Sequence, residues 1–275
     1  MGDTQNLGHQ AGRCYFKRAD VLDGIREFGS LADLVVTSPP YNVGKSYDSC
    51  NDLLPIGEYT SWFGNWLFAL HERAKSGCRL VVNVPALVKG IVDEDGTVGT
   101  FSVNEVLFPL FFRSGWKLCG EVIWSKYGGK EQERPAPGTA WGSFGSPSAP
   151  SIRTHTERIW FWYKGDWKVP PPSPDLAGEI IDRTDFARAT HDIWTIHGEM
   201  SKHHPAVMAH EVARRAIALC SYPGAVVYDP FNGRGTVPIQ AALNGRIGVG
   251  TDLSEGYVTL AKREALGAHV PAYVL

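Results

Sequence analysis

The stretch Asp229-Pro230-Phe231-Asn232-Gly233-Arg234-Gly235-Thr236 constrains the fold of this chain more than any other. It follows the apolar run Ala225-Val226-Val227-Tyr228, which reads as a buried strand, and leads into a helical pattern whose first turn holds Pro238. Two glycines let the backbone turn sharply and approach a ligand closely, and the free amides at a helix start favour an anionic group such as a carboxylate. Asp252, 23 residues after Asp229, ends the next apolar run, Ile247-Gly248-Val249-Gly250. In nucleotide-binding α/β folds an acidic side chain about 20 residues on accepts hydrogen bonds from ribose hydroxyls. Position 238 is proline where the dinucleotide fingerprint has its third glycine, and no Gly-Lys-Ser/Thr ending marks a P-loop. The pair therefore points to a nucleotide-like cofactor other than NAD or ATP.

Further apolar runs at Leu34-Val36 and Leu80-Val82 read as buried strands, and helical patterns cover Tyr59-Lys75, Pro205-Cys220, Pro238-Leu243 and Ser254-Leu266. Strands alternating with helices predict an α/β fold with a mostly parallel sheet covered on both faces. Two more strands, Leu118-Trp124 and Arg158-Tyr163, flank a segment rich in Gly, Ser and Pro. The expected organisation is one catalytic domain over residues 1-275, with variable insertions at about 127-155 and 166-203. In and just ahead of the first, Trp141 and Phe144 are candidates to enclose a base, and Lys126, Lys130, Arg134 and Arg153 to neutralise phosphates. Arg183 and Arg188 lie in the second insertion.

Net charge is −2, so any nucleic-acid contact is local; residues 113-168 hold nine Arg or Lys against five Asp or Glu. The start Met1-Gln10 is polar and no long apolar run follows, which predicts neither a signal peptide nor a membrane span and a cytoplasmic protein. Five scattered cysteines without a Cys-x-x-Cys pair read as reduced thiols. The histidines at 191, 197, 203, 204 and 210 match no zinc spacing, and no metal is expected.

The second informative stretch, Thr37-Ser38-Pro39-Pro40-Tyr41-Asn42, stands where the strand Leu34-Val36 ends, at the carboxyl edge where α/β sheets hold their ligands. Two prolines stiffen the loop and remove two donors, leaving carbonyl oxygens to accept. An aromatic amino group has its lone pair delocalised into the ring. It becomes nucleophilic when acceptors hold its hydrogens and the nitrogen pyramidalises, and Ser38 with a proline carbonyl can act so. Tyr41 offers a face on which to stack a base drawn out of a duplex.

Together these loops resemble the [DNS]PP[YFW] and DPFxGxGT motifs of the DNA amino-methyltransferases. The order, with the Ser38 loop 191 residues ahead of Asp229, resembles the circularly permuted β group. Ala19-Asp20-Val21-Leu22, Thr156 to Gly165, and His204-Pro205-Ala206 resemble further family segments, so the likeness runs over roughly residues 15-266. It implies a Rossmann-like fold with a mixed seven-stranded sheet, S-adenosylmethionine as cofactor, double-stranded DNA as substrate, base flipping and direct transfer. The implied catalytic residues are Ser38, Pro39, Pro40 and Tyr41. The implied cofactor residues are Asp20, Thr37, Asp229, Phe231, Asn232, Gly233, Gly235, Thr236 and Asp252. Serine at the head of the catalytic loop resembles the enzymes acting on cytosine N4. Adenine N6 on the same architecture, RNA, and a non-catalytic DNA-binding relative are the alternatives. None of the five cysteines follows a proline, unlike the Pro-Cys motif of C5-cytosine enzymes. The family also implies restriction-modification with a cognate endonuclease, a homodimer, and a nucleoid-associated location.

Overall fold

A computed structural model describes residues 11–44, 52–92, 98–126, 147–148, 154–176, 181–199 and 207–275. In chain order the strands are β1 (Arg13–Arg18), β2 (Leu34–Thr37), β3 (Arg79–Pro85), β4 (Leu87–Val92), β5 (Val98–Ser102), β6 (Lys117–Ser125), β7 (Thr156–Tyr163), β8 (Ile193–Thr195), β9 (Val226–Asp229), β10 (Ile247–Asp252) and β11 (Ala272–Val274). The helices are α1 (Val21–Phe28), α2 (Ile56–Arg73), α3 (Val103–Val106), α4 (Phe108–Arg113), α5 (Arg183–Ala189), α6 (His210–Cys220), α7 (Thr236–Leu243) and α8 (Glu255–Gly267).

One sheet of nine strands runs β11-β1-β10-β9-β2-β3-β7-β6-β8, while β4 and β5 form a separate hairpin. All neighbours in the large sheet are parallel except β7, which is antiparallel to both β3 and β6. The expected seven strands form its interior. Two three-residue strands, β8 and β11, extend it at either edge, too short to read as apolar runs.

Side chains alternate between the two faces, as the strand period of two requires. Val35, Leu80 and Val82 pack with Phe63, Trp66 and Leu70 of α2 and with Trp160 and Trp162 of β7. Leu34, Val36, Val81 and Phe161 pack on the opposite face against Val212, Ala213, Ala216 and Ile217 of α6. A third apolar cluster joins Cys14 and Phe16 of β1 to Val258, Ala261 and Ala265 of α8. The centre is thus buried on both sides, which is why β2, β3 and β9 read as continuous apolar runs.

Helix α6 begins at His210, later than the pattern from Pro205 predicts. Glu199 accepts the His210 backbone N–H at 2.9 Å and so caps the helix there. Close packing between α7 and β10 depends on glycine. A Cβ at Gly248 would lie 2.2 Å from the Pro238 carbonyl oxygen, and one at Gly250 2.1 Å from Asn232 Oδ1. Among the described residues no helix is long and apolar enough to cross a membrane.

Candidate active site

Chain direction across the sheet reverses between β9 and β2: from β9 the chain proceeds through α7 to β10, and from β2 through α2 to β3. Such a switch point opens a crevice beyond the carboxyl ends of the two strands. Both motif loops leave from these ends and are tied to each other, because Thr37 Oγ1 donates to Asp229 Oδ1 at 2.7 Å. The same carboxylate oxygen accepts the Phe231 amide at 3.0 Å, which folds the loop back over the strand end. Burial pushes the Asp229 carboxyl up to about 7, against the opposing bonds from Thr37 and the Phe231 amide.

Gly233 and Gly235 stand at φ +50° and +88°, the left-handed region that favours glycine, so the loop's sharp turns explain both. Gly235 is the N-cap of α7, and Thr236 opens the helix. The Asp252 carboxylate accepts the Gly233 amide at 2.8 Å and the Ser254 amide at 2.9 Å. Asp20 caps α1 through the Leu22 amide at 2.9 Å, and β1 pairs with β10 in register Arg18↔Asp252, which sets Asp20 at the neighbouring strand end. Asn232 Oδ1 is buried without a partner beside these groups, an acceptor with capacity to spare. Phe231 packs against Trp62 and Trp66, with ring centroids 5.7 and 5.4 Å apart, making an aromatic wall.

On the β2 side the loop is braced from several directions. Asn42, at φ +58°, exchanges hydrogen bonds with the Leu54 backbone, and its own amide donates to Asp52 at 2.8 Å. Tyr59 OH donates to the Pro40 carbonyl at 2.9 Å, so that oxygen is already engaged in bracing the loop. Ser38 faces the glycine-rich loop: a cleft of about 40 Å³ is lined by Ser38, Met208, Asp229, Phe231, Asn232 and Gly233 among others.

Behind Ser38 lies a polar network that sequence reasoning missed. Ser38 Oγ and Tyr41 OH are 2.6 Å apart, and Asn83 Nδ2 donates to Tyr41 OH at 2.8 Å and to Glu157 Oε2 at 2.6 Å. Glu157 pairs with Lys126. The expectation that Lys126 neutralises a phosphate is thereby corrected, because the buried carboxylate on β7 captures its ammonium. Asn83 sits inside the apolar β3 run and Glu157 heads β7; only strand pairing brings them together, at the register Asn83↔Ile159 and Pro85↔Glu157. Trp141, Phe144, Lys130, Arg134, Arg153, Cys50 and the His203-His204-Pro205-Ala206 segment lie outside the described residues. Of the later arginines, Arg183 and Arg188 are carried on α5, whose Asp185 pairs with Arg214 of α6 at 2.9 Å.

The buried Asp229 carries a pH prediction. Its folded value of about 7 stands above the ordinary 3.8, so the proton binds more tightly in the folded chain. The contribution to stability is full below 3.8 and is lost as pH rises through about 7. Melting curves of Asp229→Asn lack that loss, so the wild-type melting temperature falls relative to the variant between about pH 4 and about pH 7. Parallel curves would contradict the burial argument.

Comparison with known proteins agrees with this fold. The DNA methylase family model, of N6/N4 type, matches residues 32–263. The Type II methyltransferase M.MjaVI of Methanocaldococcus jannaschii is 32% identical over 62% of this chain and 79% of its own length. TTHA0409 of Thermus thermophilus, solved in complex with S-adenosyl-L-methionine, superposes with a TM-score of 0.73 at 25% identity, covering 95% of this chain and 97% of its own. The PvuII DNA methyltransferase, cytosine-N4-specific, shares the fold at a TM-score of 0.66 and 17% identity over 98% of this chain and 99% of its own. With S-adenosylmethionine-dependent methyltransferases as its structural neighbours and the family model spanning most of its length, the chain belongs to the N6/N4 DNA methylase family.

Proposed function

We propose that this protein methylates the exocyclic N4 of cytosine in duplex DNA, at a specific site, with S-adenosylmethionine as the donor. The observation that carries the reading is the Thr37–Asp229 bond. It fixes the acceptor-bearing Ser38 loop and the glycine-rich loop on opposite lips of one crevice. S-adenosylmethionine, when bound, supplies a methyl group on a sulfonium centre. The residues fit it: Asp252 and Asp20 offer carboxylates at adjacent strand ends for ribose hydroxyls and the base, Phe231 an apolar wall, and Gly233 and Gly235 close backbone approach. Thr37, Asp229, Asn232 and Thr236 shape and hold that loop.

On the other lip, Ser38 Oγ and the Pro39 carbonyl receive the two hydrogens of the amino group, so its nitrogen gains pyramidal, nucleophilic character. Tyr41 and Pro40 hold these acceptors in place, the hydroxyl of Tyr41 from behind Ser38 and the carbonyl of Pro40 against Tyr59. Direct transfer accords with the cysteines: burial pushes the Cys14, Cys78 and Cys220 thiols up to about 12, far from the thiolate a covalent route uses. The order of the two loops along the chain supports the permuted β group. The serine at the head of the loop, the residue that resembles the cytosine-N4 enzymes, favours cytosine over adenine N6 in a family that holds both. Residues 1–275 as a single catalytic domain, a place in restriction-modification with a cognate endonuclease, and a homodimer belong to the same proposal.

Methyl transfer from labelled S-adenosylmethionine is expected onto unmethylated duplex DNA, with far less onto RNA of the same sequence. Label confined to RNA, or none despite cofactor binding in calorimetry, would overturn the assignment.

A further inference from the structure

We infer that Glu157 is a positioning residue for methyl transfer: acting through Tyr41, it turns the Ser38 hydroxyl proton away from the substrate, so that Ser38 presents acceptor lone pairs. The inference rests on the reading that Ser38 receives the amino group.

The protons along this chain of hydrogen bonds can be counted. An amide N–H donates and a carboxylate accepts, so Tyr41's oxygen receives Asn83 Nδ2 at 2.8 Å, and Glu157 Oε2 receives the same nitrogen at 2.6 Å. The amide orientation is set by this second contact, since a flipped Asn83 would bring its oxygen against the carboxylate. Tyr41 has one proton, and within this network both Ser38 Oγ at 2.6 Å and Glu157 Oε2 at 3.3 Å can accept it. Two oxygens at 2.6 Å require a proton between them, and either hydroxyl can provide it. The distances alone favour a proton on the Ser38 side; the charge favours Glu157, because bonds to an ionised acceptor are about twice as strong as neutral ones. Glu157 is 9% exposed and paired with Lys126, whose ammonium also lies 5.0 Å from the Trp124 ring centroid, so the acceptor is desolvated and fixed. With the Tyr41 proton on Glu157, the Ser38 proton must fill the short contact. Ser38 is left with lone pairs toward the crevice.

Four variants test this: Ser38→Ala, Tyr41→Phe, Glu157→Gln, and the double Tyr41→Phe/Glu157→Gln. Single-turnover transfer to unmethylated duplex DNA and S-adenosylmethionine affinity by calorimetry are measured for each. Glutamine at 157 can donate to Tyr41 and reverse the chain, so Glu157→Gln is expected about tenfold slower with cofactor affinity unchanged. Tyr41→Phe, which keeps the ring, slows transfer to a similar degree, and the double variant is no slower than Tyr41→Phe. A merely structural role would instead lower cofactor affinity or multiply the two losses. Ser38→Ala slow while Glu157→Gln runs at the wild-type rate would overturn the inference alone; Ser38→Ala at the wild-type rate would overturn the reading of Ser38 and the inference with it. Should Glu157→Gln fail to fold, Tyr41→Phe decides, since it leaves the Glu157–Lys126 pair intact: a wild-type rate there overturns the inference.

Discussion

Ser38→Ala is expected to slow methyl transfer about a hundredfold while leaving S-adenosylmethionine affinity and melting temperature close to those of the wild type. The magnitude follows from losing one preorganised hydrogen-bonding partner of a reacting group, which costs about 10² or more in rate. The selectivity for rate follows from the local structure. Without the hydroxyl, Tyr41 keeps its bonds to Asn83 and Glu157, the loop keeps its Tyr59–Pro40 brace, and Thr37 still holds Asp229. Only the acceptor toward the amino group is lost. A variant with a near-normal rate would place the activating acceptor elsewhere in the crevice, and one with a collapsed melting temperature would make Ser38 a structural residue.

The second large effect is on folding. Gly248→Ala introduces a Cβ 2.2 Å from the Pro238 carbonyl oxygen and 2.6 Å from its Cα, both backbone atoms of α7 that no rotamer change can move. Overpacking of this kind costs about 3 kcal/mol, which lowers the melting temperature of a chain of this size by roughly 10 °C. Because the glycine-rich loop proposed to hold the cofactor leads into α7, cofactor affinity should fall in parallel. Gly120 on β6 faces open space and provides the control: Gly120→Ala is expected to leave both quantities nearly unchanged. Equal melting temperatures for the two variants would contradict the close packing of α7 on β10.

Much of this is legible in the sequence because it is local. Apolar runs in β2, β3, β9 and β10 announce strands buried on both faces, and the glycines at 233 and 235 announce a turn at a helix start. Strand β1 is not legible, since Arg13, Lys17 and Arg18 flank its short apolar stretch and its burial comes from β10 and α8. Nor is the network behind Ser38. Asn83 looks like a lone polar residue in an apolar strand, and Glu157 lies 74 residues further along the chain. Their meeting depends on antiparallel pairing of β7 with β3, which no periodicity encodes. Lys126 illustrates the same limit: as a sequence it is one cation in a basic stretch, and in space it is the counter-ion of a buried carboxylate. Tyr41 reads along the chain as a stacking face, whereas the structure shows what its hydroxyl holds.

The most direct test of the account is the identity of the methylated base. Unmethylated duplex DNA is incubated with the purified protein and S-adenosylmethionine, digested to nucleosides and resolved by mass spectrometry. The proposed function, with serine at the head of the loop, predicts N4-methylcytosine; N6-methyladenine as the product would contradict it.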